Sequence, residues 1–133
     1  MQSIESKETI SILLASDVHE SWEYLDKLEK IAKNYDIVLI SGDQANVNNV
    51  NGETADPELN RVAEESNKRI VESLQKCLVE GGMLAYILSN HDAEILFKPD
   101  EAPKIGKSVN VHKYVVELRP GLMLSGLGGS LPT

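Results

Sequence analysis

Three short apolar runs, ISILLAS at 10–16, DIVLIS at 36–41 and MLAYILS at 83–89, each end in a polar cluster. Runs this short and this continuous read as strands buried on both faces. Between the first two lies a helical pattern from Trp22 to Asn34, with Leu25, Leu28, Ile31 and Ala32 on one face. Glu23/Lys27, Asp26/Lys30 and Glu29/Lys33 place acid before base at i,i+4, the favourable order on a solvated face. Residues 44–56 are rich in asparagine, contain Gly52 and read as a loop. Asp56 then reads as an N-cap with Pro57 at the first helical position, and the helix runs to about Glu80 before Gly81-Gly82 stops it. Its apolar positions are Leu59, Val62, Ile70, Leu74 and Leu78. Past the third run come a helical turn at 93–97, strands at 109–111 and 115–118, a Pro120-Gly121 turn and a return strand at 122–127. Strands alternating with helices predict an α/β fold: a βαβαβ parallel core plus a C-terminal hairpin.

The chain of 133 residues has room for one domain. A formal net charge of −8 argues against nucleic acid and anionic membranes as partners through the surface field. If the protein handles phosphate, metal ions are the obvious attractor. The polar start MQSIESKETIS lacks a secretory pattern, and no apolar stretch approaches the roughly 20 residues that span a bilayer. Cys77 is the only cysteine, so an intramolecular disulfide is excluded and a reducing, cytoplasmic setting fits best.

Parallel strands deliver their carboxyl ends to one edge, where ligands of such sheets bind. Asp17 and His19, then Asp43, then Asn90, His91 and Asp92 meet there. Each cluster taken alone reads best as an ordinary loop, turn or cap. Together they offer ligands for a pair of divalent cations. Asp17 and His19, two apart, can reach one ion; Asp43, in the middle cluster, is the natural bridging carboxylate; Asn90 offers a neutral amide oxygen to a second ion. Oxygen plus imidazole suits Mn, Fe or Zn better than Ca or Mg. Such a pair makes a nucleophilic hydroxide from bound water near neutral pH. His91 could then protonate the leaving oxygen, with Asp92 holding its imidazole in the right tautomer.

Asp17-Val18-His19, Gly42-Asp43-Gln44-Ala45-Asn46 and Asn90-His91-Asp92 resemble, in order, the DxH, GDxxN/D and GNHD/E motifs of the calcineurin-like metallophosphoesterases. The resemblance runs from about Ile10 to about Pro132 and includes GLGGS at 126–130. It implies a binuclear site, with Asp17 and His19 on one ion, Asp43 on both, Asn90 on the second and His91 as general acid. It implies hydrolysis of a phosphoester substrate by metal-bound hydroxide, on the first half of a four-layer αββα sandwich. Ser89 stands where the family has glycine. The family pattern also continues with a further histidine and a Gly-His-x-His motif, whereas this sequence has three histidines and ends GLGGSLPT. Residues 1–133 are therefore expected to be a single, incomplete domain, holding two ions when completed and one or none by itself. Half a sandwich leaves an open edge and an uncovered apolar face, which predicts self-association or a partner segment completing the sheet. The alternative is a catalytically weak or inactive scaffold on the same fold. His112 reads as an ordinary strand position, Trp22 as a packing residue and Cys77 as inert. Gly126–Ser130 lacks the lysine of a phosphate-binding P-loop and reads as a turn bordering the site.

Overall fold

The computed structural model describes residues 4–47, 56–98 and 100–129. The asparagine-rich stretch is described only to Val47; the rest of that expected loop, 48–55, lies outside the described residues. A four-stranded parallel sheet has the order β1 (Ile12–Ala15), β2 (Ile37–Ser41), β3 (Met83–Ile87), β4 (Ser108–Asn110). α1 (Trp22–Ala32) and α2 (Pro57–Lys76) make the crossovers, and β5 (Val115–Arg119) with β6 (Leu122–Ser125) form an antiparallel hairpin. This is the expected α/β architecture, with β4 extending the parallel sheet beyond the three strands of the predicted core.

Right-handed crossovers between sequential neighbours put both helices on one face. Alternate strand residues Val38, Ile40, Leu84 and Tyr86 accordingly pack with Leu25, Leu28 and Ala32 of α1 and Ile70, Val71 and Leu74 of α2. Ile37, pointing the other way, meets Leu118 and Ile4, with Leu39, Met83, Leu122 and Leu124 around them. The hairpin covers that second face only in part. Leu14 is 67% exposed and Ile12 45%, so β1 is not the doubly buried strand its sequence suggests. Ile31, Leu59 and Val62 are exposed as well, outside the stripe that touches the sheet.

α2 starts as its sequence predicts, with the Asp56 carboxylate accepting from the Glu58 N–H at 2.8 Å and Pro57 at the first position. It ends at Lys76 with Cys77 as C-cap, short of Glu80. Of the three acid–base pairs on α1, Glu23–Lys27 is closed, at 2.8 Å. Among the described residues no helix is long and apolar enough to cross a membrane.

At the amino end of the sheet, Asp36 joins β1 to β2. Its carboxylate accepts from the Ser11 N–H and hydroxyl, each at 2.9 Å, and pairs with Lys7. The Lys7 bond, helped by Ser11, pulls the Asp36 pKa from 3.8 to about 2. A carboxylate whose folded pKa lies below its unfolded one adds stability above the unfolded value and loses it as pH falls through the folded one. Asp36→Asn should therefore cost roughly 1–2 kcal/mol at neutral pH. In urea unfolding, the gap between the two proteins should narrow steadily from pH 5 to pH 2.5.

Candidate metal centre

The parallel ladder does not stop where the strands do. Asp17 N–H donates to the Gly42 carbonyl at 3.3 Å, His19 N–H to Asp43 at 2.9 Å and Glu20 N–H to Gln44 at 3.1 Å, while Gly42 N–H reaches Ile87 at 3.1 Å. The first two polar clusters are thus stitched side by side. Their backbone is left-handed: φ is 53° at Asp17, 44° at His19, 54° at Glu20 and 51° at Asp43. Each such non-glycine residue costs roughly 1–2 kcal/mol and persists only where the surroundings enforce it. Gly42, at φ 77°, could not carry a side chain, because a Cβ there would stand 2.8 Å from Ser89 Cβ. The serine that replaces the family glycine thus fits against a glycine on the neighbouring strand end. Its hydroxyl donates to Asn90 Oδ1 at 3.2 Å.

Asp17, His19 and Asp43 each offer a ligand atom, and these atoms all lie within 4.8 Å of one another. His19 Nε2 is 3.9 Å from Asp17 Oδ1. His19 Nδ1 and Asp43 Oδ1 are buried and have no hydrogen-bond partner. A buried polar atom left unpaired costs about 1–3 kcal/mol, and an ion is one of the partners that explains it. The donor set, one imidazole and two carboxylates, fits a divalent transition metal. The His91 ring stands 5.0 Å from that of His19, edge to face at 83°. Asn90 follows Ser89 at the end of β3, with its amide oxygen held by the serine hydroxyl.

His91 is not oriented by Asp92 as the sequence reading expected. Its Nδ1 lies 2.9 Å from the Val47 carbonyl, which can only accept. Nδ1 therefore carries the hydrogen, and Nε2 is the ring nitrogen not engaged by the Val47 carbonyl. The Asp92 side chain turns instead into the protein. Oδ1 accepts from Gln44 N–H at 2.9 Å, Ala45 N–H at 3.0 Å and Asn67 Nδ2 at 2.7 Å; Oδ2 accepts from Ser89 N–H at 2.9 Å. Burial raises its pKa, against the pull of these N–H donors. Asn67 could not be singled out from the sequence, since a polar residue in a long helix usually faces solvent. Yet it is fully buried, gives Nδ2 to Asp92 and accepts the Ala93 N–H at 3.0 Å.

Other residues take more ordinary places. Trp22 is 46% exposed, with the Arg69 guanidinium 4.6 Å above its ring, so it is a cation–π shelf more than a core residue. Cys77 is partly buried, and burial pushes its thiol up, away from the reactive thiolate.

The sequence model of the calcineurin-like phosphoesterases matches residues 10–130. The chain belongs to that family. Neither curated proteins nor solved structures contain a match to it.

Asp92→Asn replaces an all-acceptor group by one whose NH2 must face an N–H. It should cost about 2–4 kcal/mol in urea unfolding. His91→Ala, which gives up one bond to a carbonyl, should cost under about 1 kcal/mol in the same assay.

Proposed function

We propose that the protein is a metal-dependent phosphoesterase. The observation that carries this reading is the Asp17–His19–Asp43 cluster, with its ligand atoms within 4.8 Å and two of its atoms buried without partners. Asp17, His19 and Asp43 would hold the first divalent ion, and Asp43 and Asn90 the second, with Mn, Fe or Zn favoured by the donor types. Bound dications would draw in the phosphoester against a net charge of −8, withdraw charge from phosphorus and make water acidic enough to attack near neutral pH.

The chain's own residues do the rest. His91, with Nδ1–H committed to Val47, would as the imidazolium give its Nε2 proton to the leaving oxygen and return to the neutral Nδ1–H ring. Asp92 acts at one remove, fixing the amides of Gln44 and Ser89 that flank Asp43 and Asn90. Further ligands for the second ion would come from a segment or second copy seated against the exposed Ile12 and Leu14 of β1. A cytoplasmic setting agrees with the single cysteine. A second reading, a binding scaffold with little turnover, is favoured by one fact: among the described residues Asp17, His19 and Asp43 are the one such His/Cys/Asp/Glu cluster.

Equilibrium dialysis with Mn²⁺ and hydrolysis of p-nitrophenyl phosphate and its diester test both readings. Asp43→Asn should weaken Mn²⁺ binding at least about tenfold and abolish turnover. His91→Gln should leave binding within about twofold and lower turnover about 10²–10⁴-fold. Sustained turnover in Asp43→Asn contradicts the enzyme reading; bound Mn²⁺ without turnover selects the scaffold.

A further inference from the structure

His112 is 4% exposed, at the exit of β4. Its Nδ1 accepts the Gly128 N–H at 2.9 Å, and its ring meets Phe97 edge to face at 5.3 Å. The same segment is stitched on both sides: His112 bridges Gly126, and Lys113 N–H donates to the Gly126 carbonyl at 2.9 Å. Gly129 N–H then reaches the Leu88 carbonyl at 2.7 Å. Gly128 lies so close to Leu88 that a Cβ would stand 2.3 Å from its carbonyl oxygen. Leu88 directly precedes Ser89, Asn90 and His91.

We propose that His112 is a positioning residue: its neutral imidazole latches the Gly126–Gly129 segment onto the end of β3, and protonation of Nδ1 releases it. A nitrogen that accepts an N–H cannot also carry a proton, so the latched ring is the Nε2–H tautomer. Adding a proton at Nδ1 sets N–H against N–H and breaks the bond to Gly128. Lys113, next in the chain, is the charged group that bears on the ring; Phe97, Asn110, Gly126 and Gly128 bring none. Burial first, and Lys113 second, lower the His112 pKa below its usual 6.5. With the folded value below the unfolded one, the neutral ring's contribution is complete above about 6.5 and lost as pH falls through the folded value. Because Leu88 leads into Ser89, Asn90 and His91, the latch also holds the stretch that carries them; what that does for catalysis rests on the metal reading above, whereas the latch itself does not.

Amide hydrogen exchange and imidazole titration by NMR on the metal-free protein test the latch directly. Between pH 7.5 and 5, Gly128 and Gly129 should lose protection about tenfold or more, after correction for intrinsic rates, in step with His112 and while Leu84 stays protected. His112→Asn keeps an acceptor near the Nδ1 position and should hold protection at all these pH values; His112→Leu should lose it at all of them. Three results each overturn the proposal: His112 titrating with Gly128 still protected, His112 staying neutral throughout, or Gly128 opening only together with Leu84.

Discussion

The Asp92 carboxylate lies beneath the site, fully buried, and accepts hydrogen bonds from the end of β2, from α2 and from the end of β3. Four N–H groups from three separate stretches of chain converge on one charge. In a medium of low dielectric that arrangement is costly to break, because removing the acceptor orphans every donor at once. The left-handed turn at Asp43 sits immediately before two of those donors. Its conformational cost is offset by bonds that form only when Gln44 and Ala45 present their amides inward. The placement of Asp43, and of everything bonded to its backbone, follows from this anchor.

Above the anchor the balance reverses. Asp17, His19 and Asp43 gather like-charged and orphaned groups on a strained backbone, with His91 at their side. Two carboxylates and an imidazole brought this close make a group that could hold a metal ion. The Asp92 carboxylate is thus fully partnered, whereas His19 Nδ1 and Asp43 Oδ1 are buried without partners.

The fold was largely readable because its signals are local. Three apolar runs, helical spacing between them, and Asp56-Pro57 at the start of α2 specify the βαβαβ order without tertiary knowledge. The convergence of Asp17, His19 and Asp43 is readable too, since parallel strands bring them to one edge. What escaped was direction. Nothing in Asn90-His91-Asp92 says that the third residue turns inward to Gln44 and Ala45 and leaves His91 to Val47. Nor does spacing reveal that Asn67, midway along a helix, supplies one of the donors. Those facts depend on which side of the chain faces the core after the strand ends, where the alternation that governs strands no longer applies. The exposure of Ile12 and Leu14 is hidden from the sequence for a related reason: a continuous apolar run is blind to whether a second layer covers it.

A Mn²⁺-soaked crystal, with anomalous scattering recorded at the manganese edge, tests most directly whether Asp17, His19 and Asp43 share an ion. An ion is expected about 2.0–2.3 Å from an imidazole nitrogen of His19 and from carboxylate oxygens of Asp17 and Asp43, with the Asp92 bonds undisturbed. Manganese bound elsewhere on this acidic surface, with those three side chains empty at saturating metal, would contradict it.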